Sequence, residues 1–93
     1  MKITGSQITA ARNLLKITQA ELGEASGVSE RTIKRFEADE TVPQRAVMDK
    51  LLTELERRGI EFTNGTGIGV RLHFEKAAEF ARSAATGKIA SSQ

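Results

Sequence analysis

Cysteine is absent from the 93-residue chain, so neither a disulfide framework nor a thiolate zinc site can supplement its small core. Tryptophan and tyrosine are absent too, and histidine occurs once, at His73. Nucleophilic catalysis by a Cys/His or Ser/His pair has almost nothing to work with. A hydrolytic metal site wants several histidines or carboxylates in one cluster, and none is evident. The reading is therefore of a protein that is not an enzyme and has no cofactor. No run approaches the roughly 18 apolar residues of a membrane span, and no apolar stretch follows Lys2 as a leader would require. The expected location is the cytoplasm, with no membrane partner. Excess charge is scarce as well: the formal net charge is +2. Over residues 1–40, Lys2, Arg12, Lys16, Arg31, Lys34 and Arg35 are balanced by Glu21, Glu24, Glu30, Glu37, Asp39 and Glu40. Nucleic-acid binding would have to come from where charge is placed, because bulk charge does not supply it.

What the sequence does contain is a series of helix starts. Thr4 and Gln7 form a capping box, flanked by Ile3 and Ile8 at hydrophobic-staple spacing. Thr18 and Glu21 repeat the box between Ile17 and Leu22. Ser29 caps a third start between Val28 and Ile33, with Thr32 where Glu or Gln would complete the box. Such caps contribute about 0.5–2 kcal/mol each, a useful fraction of a small domain's stability. The spacing predicts helices over about 5–16, 19–26 and 30–38, with Gly27 making the sharp turn between the second and third.

A fourth helix is expected to start near Thr41-Val42-Pro43-Gln44, with Pro43 inside its first turn and Gly59 as its stop. The period then changes to two. Ile60 and Phe62, then Val70, Leu72 and Phe74, flank the turn-rich Asn64–Gly69 segment and predict a β-hairpin. His73 reads as a surface strand residue. Gly65, Gly67 and Gly69 have the wrong spacing and context for a phosphate loop and read as turn glycines. Residues 75–86 are alanine-rich and predict a last helix, whose alanine stripe packs on its own domain or on a second subunit. Ser91-Ser92-Gln93 is expected to be loose.

Residues 18–37, from Thr18-Gln19 through Leu22, Gly27-Val28-Ser29, Ile33 and Phe36-Glu37, resemble the helix-turn-helix of the Cro/phage-repressor (XRE) class of DNA-binding regulators. The likeness extends over roughly residues 3–59, and the later hairpin is similar to one that follows such domains in some members. It implies a mainly α, lambda-repressor-like bundle of four to five helices with a C-terminal β-hairpin and a last helix. Residues 1–59 would form the DNA-binding domain, and residues 60–93 a dimerisation appendage with a loose tail. Gly23 stands where the family usually has alanine. Its small size still lets the second and third helices approach, although glycine costs a helix interior about 1 kcal/mol against alanine.

Ile33 and Phe36 point inward on the third helix, so Glu30, Arg31, Lys34 and Arg35 project outward from a helix short enough for the major groove. By the resemblance, Glu30, Arg31 and Arg35 read bases. Gln19, Ser29, Thr32 and Lys34 grip the DNA backbone, with Thr18 at the electropositive start of the second helix. Glu30 and Lys34 also stand at i,i+4 and would serve equally as a surface ion pair. Glu37 sits at the negative end of the third helix, where the dipole disfavours an acid. The resemblance pairs it with Arg12, which would also reach phosphate. These residues imply a sequence-specific regulator of transcription: a bacterial, phage or mobile-element repressor, homodimeric, bound to double-stranded DNA at a palindromic operator. The alternative is an antitoxin or other protein-binding module that engages a partner protein through residues 60–93 and also binds its own promoter.

Overall fold

The computed structural model describes the backbone of residues 2–91 and the side chains of residues 2–84. In chain order the elements are α1 (Gly5–Leu15), α2 (Gln19–Ser26), α3 (Glu30–Glu37), α4 (Arg45–Arg57), β1 (Ile60–Thr63), β2 (Gly69–Leu72) and α5 (Phe74–Ser91). This is the mainly helical, lambda-repressor-like arrangement with a two-stranded antiparallel hairpin.

Local chemistry sets the first three helix starts. Thr4 Oγ1 accepts from Gln7 N at 3.2 Å while Gln7 Oε1 accepts from Thr4 N at 2.9 Å. Thr18 and Glu21 make the same reciprocal pair at 3.0 and 2.8 Å. At the third start Ser29 Oγ accepts from Thr32 N, and the Thr32 hydroxyl bonds Ser29 Oγ at 2.8 Å. Thr32 thus joins the cap through its hydroxyl, being too short to reach back to the Ser29 amide. The first two helices end on left-handed residues, Lys16 at φ 58° and Gly27 at φ 77°. Glycine alone takes that conformation without steric penalty, which keeps the α2–α3 turn short.

Close approach between helices requires two further glycines. A Cβ on Gly5 would fall 2.1 Å from the Phe36 carbonyl oxygen, so α1 begins directly against the last turn of α3. A Cβ on Gly23 would fall 2.7 Å from the Val28 carbonyl oxygen, which makes the glycine there a packing requirement of this α2–α3 turn. The core around this junction joins Ile8, Ala11, Leu22, Ile33, Phe36, Leu51 and Leu55, and β1 adds Ile60 and Phe62 to the same cluster. The hairpin register is Ile60↔Leu72 through Thr63↔Gly69.

Three expectations are corrected by the backbone. Pro43 lies outside α4: Gln44 is the N-cap, extended at ψ 157°, and the helix begins at Arg45. Proline fixes its own φ and lacks an amide donor, properties that suit a position just ahead of the N-cap as well as one inside the first turn. Phe74 does not continue β2. His73 N donates to Gly59 O, after which Ala77 N donates to His73 O and opens a helix. His73 accordingly sits half-buried between β2 and α5, beside Glu61. Finally, α5 runs on through Ser91, five residues past the expected end, so Ser91 is helical. Ser92 and Gln93 lie outside the described residues. No described helix is long and apolar enough to cross a membrane.

Candidate nucleic-acid interface

On α3, Ile33 and Phe36 are buried, and Glu30, Arg31, Lys34 and Arg35 are exposed. The 3.6-residue period puts the two apolar side chains on one side and the four charged ones on the rest of the surface. No ion pair joins Glu30 to Lys34 among the described residues, so their charged groups are not tied to one another. Ser29 and Thr32 adjoin this surface at the helix start, already engaged with each other. Thr18 and Gln19 open α2 nearby, and with Arg12, Asn13, Lys16 and Glu30 they line a shallow depression.

Behind this face lies a closed polar network. Arg12 Nε donates to Glu37 Oε2 and Nη2 to Oε1, both at 2.8 Å, while Nη1 donates to Ile17 O at 3.0 Å. Gln19 Nε2 adds a third donor to Glu37 Oε1 at 3.0 Å. The Arg12 and Glu37 side chains are only 14% and 6% exposed. Burial disfavours the Glu37 charge, but hydrogen bonds from Arg12 and Gln19 outweigh it and hold this carboxyl below its ordinary range. The same bidentate pair raises Arg12 further above its ordinary value against the pull of desolvation. Three elements thereby meet at one carboxylate: α1 through Arg12, α2 through Gln19 and α3 through Glu37. This fixes the angle at which α3 presents its charged face.

Of the residues named from sequence for DNA contact, Glu30, Arg31, Lys34 and Arg35 share the exposed face of α3, and Arg12, Thr18 and Gln19 line one depression with Glu30. Arg12 and Gln19 are committed first to Glu37 and stand behind that face. Sequence reading missed three groups. Gly5 gave no signal at all beyond its identity. Lys16, exposed beside the start of α2, was visible only as a basic residue preceding a capping box. Gln7 was recognised as a cap, yet its amide also donates to Thr63 O at 3.2 Å and Gly69 O at 3.1 Å, tying α1 to both strands of the hairpin.

Residues 8–62 match the family model described as Helix-turn-helix, which is more than half the chain. The protein belongs to this helix-turn-helix family, of the Cro/repressor-like (XRE) type. It is therefore a DNA-binding transcriptional regulator, in a family that is regulatory and not typically enzymatic. No curated protein matches the chain.

Proposed function

We propose that this regulator is a homodimeric, cytoplasmic repressor that binds a palindromic operator and occludes a promoter, with α3 in the major groove. The observation that carries the reading is the outward face of α3: four charged side chains without an ion-pair partner among the described residues, on a helix tied through Glu37 to α1 and α2. Arg31 and Arg35 donate to guanine edges and Glu30 accepts from cytosine, each good bidentate pair discriminating by about 1–3 kcal/mol. Lys34, Ser29 and Thr32 grip the backbone. So do Thr18 and Gln19, aided by the amides opening α2, and Arg12 through its remaining guanidinium hydrogens. One helix of eight residues reads few base pairs. Two of them on a two-fold axis, one helical turn apart at about 34–36 Å, supply useful specificity.

The test is selection of duplexes from a random pool by the purified protein, followed by transcription from a promoter carrying the selected site. The proposal expects a palindrome with half-sites one turn apart or a multiple of it, and lower transcription when the site overlaps the promoter. Enrichment of a single, non-repeated site contradicts the two-fold reading. A second reading, an antitoxin whose residues 60–93 hold a partner protein, draws on Phe74, which is 84% exposed on α5.

A further inference from the structure

Among the described side chains of α5, through residue 84, the body of the protein covers only one side. Gly59 receives the start of the helix: a Cβ there would lie 3.0 Å from Ala77 N and 3.1 Å from His73 O. Phe80 then sits under both Arg57 and Arg58, whose guanidinium carbons lie 4.8 and 4.7 Å from the ring centre. Those arginines are themselves fixed by the buried Glu54 carboxylate, at 2.9 and 2.6 Å. Ala77 and Phe80 are accordingly half-buried, whereas residues 81–84 are all exposed.

A different face of the same helix is unpartnered. At about 100° per residue, Phe74, Ala78 and Ala81 fall within an arc of about 60°, centred about 100° around the helix from the side that carries Ala77 and Phe80. Ala78 and Ala81 are exposed, and Phe74 is the most exposed large apolar residue among those described. Around Ala78, the side chains of Glu75, Glu79 and Arg82 frame a concavity of about 400 Å³. This concavity borders the apolar arc along one side, with Ala78 common to both.

We propose that this face of α5 is the interface with a second copy of the chain, formed by two antiparallel α5 helices crossing on a two-fold axis near Ala78. The proposal deepens the dimeric reading above and rests on it. A two-fold contact must be complementary to itself, and this face is, in shape and in charge. Rotated about a two-fold axis at Ala78, the bulky Phe74 of each copy lies over the Ala81–Arg82 stretch of the other, where the small alanine leaves room. Ala78 meets its own equivalent, permitting close approach of the backbones. Glu75 of each copy comes beside Arg82 of the other; neither has an ion-pair partner within the chain among the described residues. Contacts between single helices are at the small end of stable interfaces, so the dimer is of modest affinity in solution and is reinforced by the operator.

Sedimentation equilibrium of the full chain tests this, with circular dichroism and half-site DNA binding measured on each variant. The wild type is expected to dimerise. Ala78→Glu places a good helix former at an exposed position, so helicity and half-site affinity are kept, while the dimer dissociation constant rises about tenfold or more, equivalent to about 1.4 kcal/mol. Glu75→Arg and Arg82→Glu each weaken self-association, and an equimolar mixture of the two restores it as a heterodimer. A wild-type dimer indifferent to all three substitutions overturns the α5 interface and leaves the dimeric reading standing. A wild type that stays monomeric at every concentration and binds only isolated half-sites overturns both.

Discussion

The two ends of the molecule solve opposite problems. Around Glu37 the polar groups are closed on one another: three donors from two other helices converge on a carboxylate with almost no solvent access. Along α5, the side chains described, through residue 84, are covered on one side only, and an aromatic ring stands 84% exposed. The difference teaches where precision is needed. In the proposed role of α3, a helix that reads base edges must be held at a set angle, and burying its anchor resists change in that angle. In the proposed dimer, α5 can be presented on a few contacts, because a second copy would supply the remaining ones.

Paired substitutions sharpen this contrast, beginning with the aromatic rings. Phe36→Ala, in the core under α3, is expected to lower unfolding free energy by about 3–5 kcal/mol in urea titrations. Phe80→Ala, which loses packing under two partly exposed arginines, should cost only about 1 kcal/mol. Equal losses would remove the distinction between an anchored and a presented helix. Next in size is Glu37→Gln, expected to cost about 2 kcal/mol at neutral pH by weakening the bonds to Arg12 and Gln19. Its pH dependence gives the sign. Glu37 is held below its ordinary value near 4.5, so its stabilisation is fully present above that value and is lost as pH falls through the lower folded value. The stability gap between wild type and Glu37→Gln should therefore close on acidification; a gap that widens contradicts the network.

Gln7→Ala should cost about 1–2 kcal/mol, since it leaves the Thr63 and Gly69 carbonyls without the amide they share. Amide hydrogen exchange should quicken first in 60–63 and 69–72. The smallest effect belongs to Lys34→Ala, which should weaken binding about evenly across DNA sequences and reduce the salt slope by about one.

Much of this was legible in the sequence because it is written locally. Capping and staple residues lie within five positions of one another, and the 3.6-residue period separates Ile33 and Phe36 from the charged side of α3. Glu37 is an acid at the end of a helix where the dipole disfavours one, a position that calls for a compensating partner. What stayed hidden depends on residues far apart in the chain. The second task of Gln7 spans 56 residues to Thr63. The need for glycine at position 5 arises only because the α3 backbone passes there. Phe74 read as the end of an alternating strand, yet pairing stops at Ile60↔Leu72, and the Gly59–His73 contact turns the chain into a helix. The fate of Glu54 also depends on the fold, since its carboxylate holds the two arginines that receive Phe80.

The central claim is that α3 reads sequence through its exposed arginines. Fluorescence anisotropy tests it most directly, on the selected operator and a scrambled duplex, at several salt concentrations, for wild type and Arg31→Ala. Operator binding is expected to be at least about a thousandfold tighter than binding to the scrambled duplex. Arg31→Ala is expected to cost about 1–3 kcal/mol and to relax preference at one position of each half-site, with unchanged stability. Equal, weak, salt-sensitive binding to both duplexes, indifferent to Arg31→Ala, would contradict it.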